Sequence, residues 1–142
     1  MKKLTVLLFM TALVCTGYVA TAAASSTEST GAATATKGEF FKKKNRIKGS
    51  WEIVESGGQT ILRLSDKFKT KNAPDLKVFL SPHSASEANS DNALQDAVLL
   101  GVLKSNKGAQ EYVIPAEIDT AEYSTILIHC EAYSVLWGGA SL

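Results

Sequence analysis

The sequence predicts an all-β domain, an antiparallel sandwich or barrel of about seven short strands. From residue 49 onwards apolar and polar residues alternate with a period of two, and these runs are rich in β-branched and aromatic residues. Turn signals containing Gly, Pro, Asn or Asp separate the runs at intervals of about 8–12 residues. Alternation with frequent turns is typical of strands that bury one face.

The first two predicted strands form a hairpin. Trp51 and Ile53 alternate with polar residues, and the pair Gly57-Gly58 supplies a tight turn before a return strand over residues 61–64. The two leucines of that return strand are expected to face the core, and the arginine between them is expected to face solvent.

Further strands are predicted over residues 76–81, 98–103 and 110–114. The turn sequence at 106–108 predicts that the last two of these are hairpin partners. Residues 82–96 form the longest polar connection, with one helical turn expected near 93–97, and a long loop of this kind often carries binding function. Gly138 and Gly139 predict a bulge or a close backbone approach in the final strand.

The most apolar run of the predicted domain is its last 20 residues, which hold Cys130. Counting by two places Cys130 on one face with Ile126 and Ile128, which is the setting of a core residue. The same count places His129 and Glu131 on the opposite face, where we expect them to meet water.

Residues 1–24 are predicted to be a signal peptide, because Lys2 and Lys3 precede an uncharged apolar run and Ala-x-Ala cleavage sites follow it. The run is short for a membrane span. A lipoprotein anchor at Cys15 is the less favoured alternative, since Val14 stands where a small residue is expected. We therefore expect a secreted or extracytoplasmic protein, in the periplasm or at the cell surface, without a transmembrane helix in its mature form.

Residues 25–45 are predicted to be a flexible, low-complexity tether that ends in a basic cluster. The cluster, over residues 42–48, follows Phe40 and Phe41. One interpretation is contact with a membrane surface or a polyanion, with the two phenylalanines as anchors. The favoured interpretation is a solvated approach to the first strand, with the phenylalanines packed on the domain edge. The folded domain is then expected to span residues 46–142.

Charge and cysteine content exclude several classes of function. The chain has a net charge of +1, to which the two signal-peptide lysines contribute, so the mature form is close to neutral and is not expected to bind nucleic acid. If Cys15 leaves with the signal peptide, the remaining single cysteine cannot form an intramolecular disulfide. A disulfide-linked dimer stays open as an alternative.

Neither a metal site nor an enzyme is predicted. The sequence contains no nucleophile elbow, no phosphate-binding loop and no zinc-protease motif. Both methionines lie in the signal peptide, which removes Met/His haem ligation and the usual blue-copper set. His83, His129 and Cys130 would be the remaining nitrogen and sulfur ligands, and the adjacency of the last two makes a copper or zinc site unfavourable. The sequence requires no cofactor.

Cys130 is the candidate redox thiol. A reactive thiolate needs a nearby cation, a helix N-terminus or a metal ion. Strand alternation points His129 away from it, whereas His83 could approach from the long loop. A buried cysteine that acts as a small apolar residue is the competing interpretation. The other candidate neighbours, for which turn or packing roles are favoured, are Asp75, Tyr112, Tyr133 and Trp137.

The order of the strands resembles that of the DM13 domain family over residues 47–142. The more specific matches are Pro74-Asp75 before the strand that contains Phe79, the segment 101–112, Pro115, and the terminal segment 130–140. The resemblance implies a small extracytoplasmic β module with a proposed role in electron transfer or thiol redox chemistry, based largely on the cysteine that Cys130 matches.

Two functional hypotheses follow. The first is an accessory electron-transfer or thiol-redox module centred on Cys130, which would need a redox partner protein. The alternative is a non-catalytic module that binds a ligand or protein through the 82–96 loop and a sheet face, with Cys130 as a structural residue. Replacing Cys130 abolishes function under the first hypothesis and alters only stability under the second.

Overall fold

The computed structural model describes residues 36–142, which form eight antiparallel strands. The strands are β1 (Thr36–Lys42), β2 (Ser50–Ser56), β3 (Gln59–Leu64), β4 (Leu76–Ser81), β5 (Val98–Val102), β6 (Gln110–Ile114), β7 (Thr125–Cys130) and β8 (Val135–Ser141). Two single-turn 3-10 helices span Thr120–Glu122 and Glu131–Tyr133. One sheet in the order β5-β4-β7-β8-β1-β2-β3-β6 curls into a nearly closed barrel, which confirms the predicted all-β fold.

The predicted signal peptide, Cys15 and the tether as far as residue 35 lie outside the described residues. Within residues 36–142, no helix is long and apolar enough to cross a membrane.

The first strand lies where the sequence predicted the end of a tether. β1 pairs with β2 on one side and with β8 on the other. Phe40 packs against the core and meets Phe68 edge-on, with ring centroids 5.6 Å apart. Phe41 packs on a second apolar cluster. The predicted domain start at residue 46 is therefore too late, because backbone pairing on both sides makes this polar segment a strand.

β5 and β6 are the two edge strands at the open seam of the nearly closed barrel, and they do not form the predicted hairpin. β5 pairs with β4, and β6 pairs with β3. The turn at 106–108 bonds instead to the β3–β4 connection, where the Thr70 N–H donates to the Asn106 carbonyl. At the seam, the Tyr112 hydroxyl accepts a hydrogen bond from the Lys104 N–H at 3.1 Å. The Tyr112 side chain therefore links β6 to the segment that follows β5, where no backbone ladder is present.

The barrel interior is the main apolar core. Leu62 and Leu64 are fully buried, and Arg63 between them lies outside, where it forms ion pairs with Glu52 and Glu111, as the alternation predicts. The same core contains large side chains from most of the strands and from the connections, including Trp51, Phe68, Val78, Leu80, Ile114, Ile126 and Ile128.

The last strand contains the predicted irregularity. Ile128 pairs with Gly138 and His129 pairs with Leu136, so Trp137 is the extra residue of a β-bulge. A side chain on Gly138 would collide with the Phe41 carbonyl of β1, 2.8 Å from the position of a Cβ. The glycine therefore permits a close backbone approach, as the sequence predicts.

The long polar connection between β4 and β5 packs on the outer face of the sheet. Hydrogen-bonded turns occupy residues 90–96, near the expected helical turn. The Ser90 hydroxyl accepts a hydrogen bond from the Leu136 N–H at 3.1 Å. A second apolar cluster lies beneath this connection and consists of Phe79, Ala88, Ala93, Leu127 and Leu136. β7 is therefore buried on both faces.

The end of the barrel where β4 begins and β7 ends is here called the thiol end. The strand pairings bring four connections together there: residues 43–49, 65–75, 103–109 and 131–134. Three of the four pair with one another through isolated bridges. Lys48 pairs with Lys69, and Lys69 pairs with Lys107.

This small paired layer covers the end of the barrel, and we call its three exposed residues, Lys48, Lys69 and Lys107, the lysine cap. Neighbouring residues of the same segments point inwards and are buried, namely Ile47, Phe68 and Thr70. Like charges directly opposite each other across a pair of strands destabilise it. Repulsion within the lysine cap therefore lowers the free energy of unfolding of the domain.

Replacing the central lysine of the cap is expected to stabilise the domain. Lys69→Gln removes two like-charge pairs, which raises the free energy of unfolding by roughly 0.5 kcal/mol at low salt. The gain shrinks in 0.5 M salt because screening already weakens the repulsion. Urea denaturation at both salt concentrations measures it. Lys71→Gln, an exposed lysine outside the bridges, is the control. An equal gain in Lys71→Gln contradicts the prediction.

Candidate functional site

Cys130 ends β7 at the thiol end and points into the barrel. Its backbone pairs with Leu76 of β4 and Val135 of β8. The residue is 0% exposed and belongs to the same apolar cluster as Ile126 and Ile128, which confirms the predicted shared face. The alternation that places the two isoleucines inside also places the thiol there.

The turn before β4 covers the thiol. The Cys130 S–H donates a hydrogen bond to the Pro74 carbonyl at 3.0 Å, a bond that only the protonated thiol can make. Asp75 follows in the left-handed region, with φ of 52°. Its carbonyl accepts a hydrogen bond from the Glu131 N–H at 3.1 Å. Two consecutive carbonyls of the turn therefore hold two consecutive residues at the end of β7, and Asp75 is a turn residue, as its sequence context favours.

A group of ion pairs lies on the outer side of the same turn. Lys77 Nζ lies 3.4 Å from Asp75 Oδ1 and forms a hydrogen bond with Glu131 Oε2. The hydrogen bond to Glu131 raises the pKa of Lys77, and partial burial opposes this shift. Lys77 and Cys130 occupy opposite faces of the β4–β7 pair, so the ammonium group neutralises carboxylates and does not face the thiol.

A surface cleft of about 300 Å³ lies beside the turn. Asn72, Ala73 and Asp75 form one side of the cleft, and Lys104 and Ser105 from the β5–β6 connection form another. The turn that holds the thiol is therefore also the wall of a cleft open to solvent. The hydrogen bond from Cys130 therefore ends on a segment that borders this cleft.

Neither histidine joins the thiol. His129 lies on the outer face of β7 and is 2% exposed, so the prediction that it meets water is wrong. Its ring stands edge-on to that of Phe79, with centroids 6.4 Å apart. His83 lies two residues after Ser81, and the His83 carbonyl accepts a hydrogen bond from the Thr125 hydroxyl. That is the other end of the β4–β7 pair, about 16 Å from Cys130 at 3.3 Å per residue.

The environment of His129 is unusual for an imidazole. Within residues 36–142, neither ring nitrogen has a hydrogen-bond partner. Burial lowers the pKa of His129, and the nearby charge of Glu131 opposes this shift. The ring is therefore a neutral, buried group beneath the 82–97 connection, a situation that costs free energy.

The predicted aromatic neighbours are not gathered around the thiol. Tyr112 is buried at the β5–β6 seam, where burial raises the pKa of its phenol. Trp137 donates from Nε1 to Thr70 Oγ1 at 3.0 Å, which joins the last strand to the layer beneath the lysine cap. Tyr133 follows Cys130 closely but is 66% exposed. Within residues 36–142, no group of three or more His, Cys, Asp or Glu residues is placed to hold a metal ion.

Sequence reasoning missed two features of the thiol end. The Pro74 carbonyl is the direct partner of the thiol, and the only sequence signal for it was the Pro74-Asp75 match to a family pattern. The lysine cap joins three segments that are far apart in the chain, and no local pattern in the sequence indicates this pairing.

These observations define an antiparallel β-barrel module with a cysteine buried under a turn at one end. A family model described as "Electron transfer DM13" matches residues 39–142. The chain belongs to this family, which confirms the resemblance seen in the sequence. The match begins inside β1, in agreement with a folded domain that starts before residue 46. No curated protein and no solved structure matches the chain.

Proposed function

We propose that this protein is an exported accessory module of electron transfer in which Cys130 is the redox-active group. Family membership supports a redox role. The signal-peptide pattern of residues 1–24 supports export to an extracytoplasmic compartment, where disulfide chemistry is permitted. The observation that carries the role of Cys130 is its hydrogen bond to the Pro74 carbonyl, in a turn that also borders a surface cleft.

The chemistry that fits a lone thiol is exchange with a disulfide of a partner protein. When the turn opens, the Cys130 S–H loses its bond to the Pro74 carbonyl and gives its proton to solvent. The thiolate attacks one sulfur of the partner disulfide, a Cys130–partner disulfide forms, and the other partner sulfur leaves as a thiolate. A further thiolate of the partner then attacks the partner sulfur of this mixed disulfide, which forms a new disulfide within the partner and releases Cys130 as a thiolate that regains its proton. The two electrons are conserved, and the net result is a rearranged partner disulfide.

The test is the rate at which a disulfide reagent modifies Cys130 at increasing urea concentration. Opening of residues 72–75 exposes little surface, so we expect a slow rate that is nearly independent of urea below the unfolding transition. A rate that follows the full urea dependence of global unfolding would contradict the proposal. It would favour the second candidate, a binding module with a structural cysteine, which the complete burial of Cys130 supports.

A matched pair of variants isolates the turn. Pro74→Gly frees the backbone of the turn but keeps the carbonyl, and we expect the modification rate at low urea to rise about tenfold. Pro115→Gly makes the same change beyond β6, at the opposite end of the barrel. It is expected to lower global stability but to leave the low-urea rate unchanged. Equal effects of the two variants would show that the turn does not control access.

The same burial opposes direct pairing of two copies. A disulfide between two Cys130 residues requires both turns to be open at once, whereas exchange with an exposed partner disulfide requires one. We therefore favour a partner protein over a disulfide-linked dimer.

A further inference from the structure

The thiol end concentrates positive charge from distant parts of the chain. Lys48 and Lys69 exchange both backbone hydrogen bonds, at 2.9 and 3.1 Å, so their side chains leave the layer side by side. Lys107 pairs with the other side of Lys69. Three ammonium groups therefore form a short row on one exposed surface.

The row continues into a hollow of about 600 Å³. Lys42, Arg46 and Lys67 line this hollow together with Lys48 of the cap, and the acidic residue among its lining residues is Glu39. These three additional cations are exposed. We call the six residues Lys42, Arg46, Lys48, Lys67, Lys69 and Lys107 the basic surface.

The charges of the basic surface are not neutralised within the domain. The ion pairs found within residues 36–142 involve Arg63 and Lys77, and none involves a residue of the basic surface. Residues 36–142 contain equal numbers of acidic and basic residues, so this end is strongly positive in a domain that is neutral as a whole. Segregated charge on a neutral domain is a means of orienting a charged partner.

The basic surface and Cys130 share the thiol end. The 65–75 connection carries Lys67 and Lys69, and the same connection ends in the Pro74 carbonyl that holds the thiol. A partner attracted to the lysines would therefore arrive at the segment that opens to expose Cys130.

We propose that the basic surface is the docking site for an acidic protein surface on the redox partner. The proposal rests on the thiol-redox function proposed above and names the chemistry of its partner. A bilayer fits less well, because Phe40 and Phe41, which would anchor the domain in lipid, are half-buried and packed on the domain's own apolar clusters. Electrostatic docking of small, transient interfaces is common among redox proteins.

Docking is tested without the thiol, in a Cys130→Ala background. The probe is a fluorescent deca-glutamate peptide, with binding followed by anisotropy at low and high salt. We expect salt-sensitive binding that weakens about threefold for each lysine of the cap replaced by Gln. Lys37→Gln, the same change of an exposed lysine far from the cap in β1, is expected to have no effect. Equal weakening by Lys37→Gln, or binding to phosphatidylglycerol vesicles but not to the peptide, overturns the proposal.

The link to the thiol is tested by kinetics. A dianionic aromatic disulfide and the cationic disulfide of cysteamine each react with Cys130, and each rate is divided by the rate with unfolded protein. We expect the normalised rate of the anionic reagent to exceed that of the cationic one about tenfold, and Lys48→Gln/Lys69→Gln/Lys107→Gln to remove the difference. Equal normalised rates in the parent protein overturn the link. If both reagents react with Cys130 only through global unfolding, the proposed redox function is refuted. The result of the peptide-binding experiment would still stand.

Discussion

Gly139→Ala is expected to lower the free energy of unfolding by roughly 3 kcal/mol or more, or to prevent folding altogether. A methyl group on Gly139 would overlap the Ile126 carbonyl of β7 and would lie 2.9 Å from both Leu127 Cδ2 and Phe41 Cζ. Gly139 pairs with β1 on one side and β7 on the other, so neither neighbour can retreat without breaking a ladder.

Urea denaturation of the purified variant measures this loss. Gly57→Ala is the matched control, because a Cβ there meets nothing within 4 Å and the cost comes from its φ of 59° alone. That cost is about 1 kcal/mol. Equal losses in the two variants would mean that the backbones of β1, β7 and β8 approach less closely than the structure indicates.

The strands that bury one face were predictable from the sequence. The bounds predicted for β4 and β6 agree with the structure to the residue, and the Gly57-Gly58 turn joins β2 and β3 as expected. In β3 and β6 the alternation agrees with the tertiary environment, because Leu62, Leu64, Tyr112 and Ile114 are buried in the barrel and the residues between them lie outside.

The errors occur where a partner elsewhere in the chain decides the outcome. β1 is polar and follows a low-complexity segment, and it becomes a strand because β2 and β8 both offer hydrogen-bonding edges. β5 and β6 have a turn between them, but that turn pairs with the 65–75 connection instead. A pattern read within a single segment contains no information about such pairings.

In the candidate site, too, the sequence predicts what depends on a single strand and does not predict what depends on distant segments. The inward position of Cys130 follows from alternation within β7. The burial of His129 does not, because alternation only places it on the other face, and the apolar cluster on that face includes two alanines of a polar loop. The Pro74 carbonyl and the lysine cap depend on connections whose folded paths the sequence does not indicate.

His129→Leu is expected to raise the free energy of unfolding at pH 7 by roughly 1–2 kcal/mol. The imidazole is buried with no hydrogen-bond partner for either nitrogen within residues 36–142. Removing a buried polar group that lacks partners recovers its desolvation penalty. Leucine is close to histidine in volume and adds apolar contact with Phe79.

The same substitution is expected to change the pH dependence of stability. Burial lowers the pKa of His129 below its usual value of 6.5. Between the two pKa values the unfolded chain binds more protons, so the stability is fully present above pH 6.5 and falls as the pH is lowered through it. The slope approaches 1.4 kcal/mol per pH unit at most. His129→Leu should remove this slope below pH 6.5.

Urea denaturation at several pH values measures both effects, and His83→Gln is the control that is expected to keep the slope. An unchanged slope in His129→Leu would mean that the pKa of His129 is the same in the folded and unfolded states, so that burial does not shift it. The result also tests whether the two segments that pack against β7 act independently. His129 lies under the 82–97 connection, whereas Cys130 lies under residues 72–75 at the thiol end. His129→Leu stabilises the packing under the 82–97 connection, and it should leave the rate of Cys130 modification at low urea unchanged. The reason is that local opening of residues 72–75 does not pass through global unfolding.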